Sequence, residues 1–257
     1  MAARRALRSR AFTRSGRARL KRRGDRRVEE RMNIAALIDV DGTLLDTNLL
    51  HVLAWRRAFE RLGSQIEVNR IVHAIGMGGD RLVPAILGEV DEALAEQARA
   101  YHAEEYVETN LLEHARALPG AARLLGALRD RGARIALASS ARREELDRLL
   151  AKLGPAKQEV DAIITQEDVS TTKPAPDIFA VALEALGRPS AAFVVGDTVY
   201  DIVAATQLGL PCLCVLTGGI ERGLLEQAGA AAIYPTAEEL ADDLDHAITI
   251  GAKLRAA

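Results

Sequence analysis

From residue 33 onward, short apolar runs alternate with amphipathic stretches of helical period. This rhythm restricts the fold more than any other feature of the 257-residue chain. The runs 34–40, 134–139, 162–165, 192–195 and 212–216 are rich in Val, Ile, Leu and Ala, without strict alternation of apolar and polar residues. Runs of that kind belong to strands buried on both faces. Between them, helical patterns fall at 120–131, 142–153, 176–186 and 199–208. Gly132, Gly154, Gly187 and Gly209 stand where helix stop signals belong. A last helix is predicted over 236–254, opened by Thr236 and Glu239 at capping-box spacing. Strand–helix–strand repetition predicts an α/β fold with a doubly wound parallel sheet.

One connection is too long for a simple crossover, which needs about a dozen residues. Residues 48–116 carry helical patterns near 49–62, 79–88 and 92–114 and no strong strand. The segment reads as a helical cap inserted over the carboxyl edge of the sheet, where open α/β sheets bind ligands. The expected organisation is a core of residues 32–47 and 117–257, a cap of residues 48–116, and an arm of residues 1–31.

The arm differs in composition. It holds 13 Lys and Arg against 3 acids, whereas the remainder holds 21 basic and 33 acidic residues. Such a charge suits nucleic acid or an anionic membrane, and the apolar core of a secretory signal is missing. The arm has almost no apolar periodicity, and Met32 stands directly before the first strand pattern. The expectation is therefore a disordered tail or a mis-assigned start, with no nucleic-acid partner. For the rest, 49% hydrophobic and 27% charged residues exclude a wholly disordered or fibrous chain. The longest apolar runs are about five residues, too short for a membrane helix. Cys212 and Cys214 lie two apart on one face of a strand and read as buried free thiols in a reducing, cytoplasmic compartment.

Acidic residues follow the strand ends. In an extended segment Asp39 and Asp41 point the same way, and Gly42 permits a sharp turn. Asp197 closes the fourth run, and Asp201 lies one helical turn on. Taken alone, Asp197 also reads as a helix N-cap. Crowded carboxylates repel one another, and Mg²⁺, which favours oxygen ligands, relieves this. Ser139 ends the second run before a helix start, where a hydroxyl and free N–H groups suit a phosphoryl oxygen. Lys173, stiffened by Pro174 and Pro176, offers a compact ammonium to neutralise phosphate charge.

Asp39-Val-Asp41-Gly42-Thr43-Leu44, then Ser139, then Lys173-Pro174, then Gly196-Asp197-x-x-x-Asp201, resembles the haloacid dehalogenase (HAD) superfamily, with its four motifs in order over about residues 33–235. The placement of the insert resembles the C1-capped subclass, which includes phosphoglycolate phosphatases and β-phosphoglucomutase-like proteins. The resemblance implies a Rossmann-like core. It implies Asp39 as the nucleophile that forms an aspartyl phosphate, and Asp41 as general acid and then base. It also implies Mg²⁺ held by the Asp39 carboxylate, the Asp41 backbone carbonyl and Asp197, with Asp201 acting through water or a neighbouring group. Ser139 and Lys173 would bind the phosphoryl group, and Lys173 would restrain the charge on Asp39.

Departures sort the subfamilies. Dehalogenases and phosphonate hydrolases of the family typically lack the second acid, which is present here as Asp41. The stretch 46–55 looks like the cap entry of sugar-phosphate mutases and related phosphatases, with His51 at the hinge near the leaving group. The mutases usually carry an arginine three residues after a cap glycine matching Gly76, where this chain has Gly79, and Glu-Asp where it has Gly196-Asp197. The expected function is Mg²⁺-dependent hydrolysis of a small phosphomonoester by a cytoplasmic monomer or weak dimer. A β-phosphoglucomutase-like isomerase is the enzymatic alternative. A phosphate-sensing or nucleic-acid-binding protein without turnover is the alternative of another class. The cap loop 76–80 is expected to set the substrate.

Overall fold

A computed structural model describes residues 34–253. The chain opens with strand β1 (Ile34–Ile38) and the two-residue strand β2 (Leu45–Asp46). Helices α1 (Asn48–Arg61), α2 (Val68–Ala74), α3 (Gly79–Leu87) and α4 (Glu92–Glu108) follow, before the two-residue strand β3 (Arg116–Ala117). Then come α5 (Ala121–Asp130), β4 (Arg134–Ala138), α6 (Arg143–Leu150), β5 (Ala162–Ile164) and α7 (Asp177–Ala185). The chain continues through β6 (Ala191–Gly196), α8 (Val199–Gln207), β7 (Cys212–Val215), α9 (Arg222–Ala228) and β8 (Ala232–Tyr234). Helices α10 (Ala237–Asp242) and α11 (Leu244–Lys253) close it.

Six strands form one parallel sheet in the order β5-β4-β1-β6-β7-β8. The order reverses at β1, which is the doubly wound topology read from the sequence. Every residue of β1 is buried, and its pleat sends Ile34, Ala36 and Ile38 into one apolar layer and Ala35 and Leu37 into the other. Each fully buried aliphatic side chain contributes about 1.5–3 kcal/mol. That explains why β1 shows no alternation of apolar and polar residues.

The four helices between β2 and β3 enclose a third apolar cluster around Trp55, Phe59, Ile71, Leu82 and Val83. Strands β2 and β3 pair antiparallel, Leu45 opposite Ala117 and Asp46 opposite Arg116. Both ends of the insert therefore leave the core side by side.

Several expectations need correction. The last helix breaks at Asp243, which leaves helical geometry while its carboxylate accepts the Tyr234 hydroxyl at 2.9 Å. The 142–153 pattern ends as α-helix at Leu150 and runs on as a 3₁₀ segment, kinked at Gly154 where φ is 59°. The 92–114 pattern stops at Glu108, since Asn110 adopts a left-handed conformation before a 3₁₀ turn at Leu111–His114. Strands β2, β3 and β8, and helices α2 and α9, are additions to the predicted set; the strands are only two or three residues long. Cys212 and Cys214 are free and buried, as expected. No described helix is long and apolar enough to cross a membrane. The arm 1–31 and Met32 lie outside the described residues.

Candidate active site

The carboxyl ends of the two central strands bring the acids together. Asp39 directly follows β1, and Asp197 directly follows β6, the strand paired with it. Thr198, not Asp197, is the N-cap of α8. Its hydroxyl and the Asp201 carboxylate form a capping box, with Asp201 Oδ2 accepting from Thr198 N at 3.1 Å and Thr198 Oγ1 at 2.7 Å. This frees Asp197 from the capping role that its position alone suggests. Carboxylate oxygens of Asp39, Asp197 and Asp201 lie within 4.8 Å of one another, and all three residues are buried.

One ammonium reaches this trio among the described residues. Lys173 Nζ donates to Asp39 Oδ1 and pairs with Asp201 Oδ1 at 2.8 Å. Burial pushes the Asp39 carboxyl up to about 7; Lys173 opposes this, and Asp201 and Asp41 reinforce it. Asp197 is raised well above the carboxylate range by burial and by the charges of Asp39 and Asp201. Burial lowers the Lys173 pKa, but Asp201 and Asp39 more than offset it and raise it. Three buried acids with one base are short of positive charge. The donors are hard oxygens, so the trio fits a hard divalent cation. Asn48 Oδ1 adds a buried oxygen without a hydrogen-bond partner beside Asp197, whose Oδ2 accepts from Asn48 Nδ2 at 2.9 Å. Gly42 is required here: its φ is +76°, and a Cβ would stand 2.3 Å from Asp197 Oδ2.

Asp41 has another environment. Its carboxylate accepts from Thr47 Oγ1 at 2.6 Å and Ser139 Oγ at 3.1 Å, and His51 Nε2 lies 3.4 Å away. Burial raises its pKa, but the His51 contact and charge, with the Thr47 and Ser139 hydroxyls, outweigh burial and hold it near 2. Thr47 sits at the N-cap of α1 yet makes no cap hydrogen bond, because its hydroxyl is given to Asp41. The Asp41 side chain thus stands outside the acidic trio, although Asp39 and Asp41 line the same cavity of about 90 Å³. Ser139 is committed to Asp41 and to the N–H of Ala141 at 3.1 Å. Helix α6 begins at Arg143 with Arg142 as its N-cap, within one residue of the start read from the sequence.

The insert supplies the opposite wall. His51 stacks on Tyr106 at 4.2 Å between ring centres, and Trp55 stacks on His102 at the same distance. His51 Nδ1 and His102 Nε2 are 3.2 Å apart. Burial lowers the His51 pKa, but Asp41 and Glu145 prevail and raise it. Burial, then the charges of His51 and Arg142, hold His102 well below its ordinary value. A protonated His51 donating to a neutral His102 satisfies both shifts.

The loop after α2 seals the seam between insert and core. A Cβ at Gly78 would stand 2.1 Å from Thr172 Oγ1, and Asp80 accepts from both the N–H and the hydroxyl of Thr172, the residue before Lys173. Gly79, where an arginine was absent from the sequence pattern, packs against the stem of Arg99 from α4. A guanidinium is therefore present on this wall, but it is held by Glu92 and by Glu96 at 2.6 Å.

Six of the seven residues singled out from the sequence stand at this carboxyl edge, Asp39, Asp41, Ser139, Lys173, Asp197 and Asp201, and the seventh, His51, faces Asp41 from the insert at 3.4 Å. Sequence reasoning missed Thr43, which donates to Asp197 Oδ1 at 3.2 Å, together with Thr47, Asn48, His102 and Glu145. Thr43, Thr47 and Asn48 carried a signal, since they lie within seven residues of Asp41 and bear short polar side chains. His102 and Glu145 carried none, lying within ordinary amphipathic helical patterns.

Comparison with known proteins agrees with this geometry. Residues 35–209, more than half of the chain, match the family model described as haloacid dehalogenase-like hydrolase. The fructose-1-phosphate phosphatase of Escherichia coli is 30% identical over 183 residues, covering 70% of this chain and 94% of that protein. The chloroplastic protein Suppressor of Quenching 1 of Arabidopsis thaliana is 30% identical over 206 residues; the match covers 77% of this chain but only 19% of that much longer protein. A hydrolase from Pseudomonas syringae superposes with a TM-score of 0.74 at 31% identity, covering 82% of this chain and 98% of that one. Sheet order, clustered acids and these matches agree: the chain belongs to the haloacid dehalogenase-like hydrolase family.

Proposed function

We propose that this phosphatase hydrolyses small-molecule phosphomonoesters, with Mg²⁺ as its cation and an aspartyl phosphate on Asp39 as its intermediate. The observation that carries the reading is the contrast between two carboxylates in one cavity: Asp39 against Lys173 within an acidic trio, and Asp41 against two hydroxyls and a histidine.

Asp39 attacks phosphorus as the bond to the leaving alkoxide breaks. Asp41 gives that alkoxide a proton and later takes one from the attacking water. In the resting site Asp41 is ionised and the proton stands on His51, 3.4 Å away, so His51 acts as its proton store. Lys173 binds a phosphoryl oxygen and stabilises the Asp39 carboxylate beside it. Ser139 holds Asp41 and lies beside the same phosphoryl position. Mg²⁺ held by Asp39, Asp197 and the Asp41 carbonyl would supply the positive charge that keeps Asp39 ionised at neutral pH. Asp201, with both oxygens engaged, acts through Lys173 and Thr198. The helical insert 48–116 serves as the cap and excludes bulk water and large substrates. Buried, unpaired Cys212 and Cys214 suit a cytoplasmic enzyme, which would work as a monomer or weak dimer.

The test is release of inorganic phosphate from p-nitrophenyl phosphate with Mg²⁺ and with chelator. Release that depends on Mg²⁺ and is lost in Asp39→Asn supports the reading. Equal release by Asp39→Asn would end the covalent role. Rapid isomerisation of β-glucose 1-phosphate without free phosphate would favour a mutase.

A further inference from the structure

Glu145 is a buried carboxylate that the reaction above does not use. It lies in the first turn of α6, is 7% exposed and lines the same cavity as Asp39 and Asp41. The backbone N–H of Arg142 serves one side of the carboxylate. Its Oε1 has no hydrogen-bond partner. The nearest charged group, His51 Nε2, is 3.8 Å away and lies closer to Asp41. A buried carboxylate left partly unsatisfied destabilises the fold unless something else donates to it. The cavity is where such a donor can come from.

The neighbouring wall favours one kind of donor. Trp55 lines the cavity with its buried indole, stacked between His102 and Phe59. Gln166 and Arg142 add hydrogen-bond donors, and the Arg142 guanidinium has no ion pair among the described residues. Arg99 is already held by Glu92 and Glu96. Beyond the reacting acids the wall thus sets a carboxylate with one unpartnered oxygen beside a guanidinium that has no ion pair among the described residues. A chain of hydroxyls can donate to the first and accept from the second. Burial, reinforced by the Asp41 charge, pushes the Glu145 carboxyl up to about 7, so a second anion on the leaving group would meet ionised Asp41 and a partly charged Glu145 across a poorly solvated gap.

We propose that Glu145 is a specificity-determining residue that accepts a hydrogen bond from a hydroxyl of the leaving group, so that the site selects phosphate esters of neutral polyols over esters whose leaving group carries a carboxylate. This rests on the phosphatase reading above.

The experiment compares glucitol 6-phosphate with 2-phosphoglycolate by phosphate release in Mg²⁺, for wild type and Glu145→Gln. Gln keeps the shape and an acceptor for the Arg142 N–H but gives up the charge. Wild type should prefer the polyol ester in kcat/KM by at least about tenfold, and Glu145→Gln should shrink that preference about tenfold, chiefly through KM. A wild-type preference for phosphoglycolate, or equal loss on both esters, overturns the proposal while leaving the phosphatase reading intact. Absence of phosphate release by wild type from these esters and from p-nitrophenyl phosphate overturns both. A second readout needs no variant. Glucitol should inhibit wild-type hydrolysis of p-nitrophenyl phosphate at lower concentration than glycolate, and the reverse order overturns the proposal.

Discussion

The floor and the far wall of the cavity are built by opposite means. The floor is three buried acids around one ammonium at the ends of β1 and β6. The far wall is a set of stacked rings from α1 and α4, His51, Trp55, His102 and Tyr106. The floor depends on a balance of charge that removing one group upsets. The wall depends on contact area spread over many atoms. Single changes should therefore act all-or-none on the floor and by degrees on the wall and the seam beneath it.

Lys173→Met tests the floor most severely. It leaves Asp39, Asp197 and Asp201 without their ammonium, and removing one partner of a buried pair costs about 3–5 kcal/mol. Phosphate release should be lost, and the melting temperature in chelator should fall further than in Mg²⁺. A melting curve that does not move would put floor and wall on the same footing.

Asp39→Asn should abolish turnover yet keep the fold, and in chelator it should relieve the floor. The sign follows from the Asp39 pKa, raised to about 7 in the folded chain. The unfolded chain releases this proton first, so the contribution is present below about pH 4 and is lost as pH rises through about 7. Denaturant melts in chelator should show wild type weakening over that window relative to Asp39→Asn. Parallel curves would mean that Asp39 is ionised throughout.

Gly78→Ala addresses the seam. Its Cβ would collide with Thr172, beside Lys173, and overpacking of this kind costs about 1–3 kcal/mol. Activity should drop several-fold, with KM rising more than kcat falls. An unchanged KM would show that the loop does not shape the site. The smallest effect is expected from a chain beginning at Met32, which keeps every described residue of floor and wall. Its melting temperature and kcat should match the full chain, and a large fall in either would give the basic arm a part in the fold or the reaction.

The floor was legible in the sequence because its groups are local to strand ends. Asp39 and Asp41, and Asp197 and Asp201, are set by short spacings that survive whatever happens elsewhere. Of the wall only His51 was legible, from its place in the stretch 46–55; the other rings join it only through packing between α1 and α4. His102 and Tyr106 lie in a helix whose sequence reads as an ordinary amphipathic run. Glu145 sits in an Arg-Arg-Glu-Glu stretch that looks like a solvated helix start, and only its burial at the cavity distinguishes it. The break at Asp243 escaped notice for a similar reason: it depends on the Tyr234 hydroxyl, which reaches it from β8.

The antiparallel pairing of β2 with β3 has a consequence for how such a molecule can change. Leu45 faces Ala117 and Asp46 faces Arg116, so the chain leaves and re-enters the core one strand spacing apart, about 5 Å. A tight two-residue turn spans that gap as well as four helices do. The whole insert can therefore be exchanged for a longer, shorter or differently lined segment without moving β1 or β6. Lineages or laboratories that swap this one segment would carry the acids, the lysine and Glu145 unchanged, while exchanging His51, Trp55 and His102 on the facing wall.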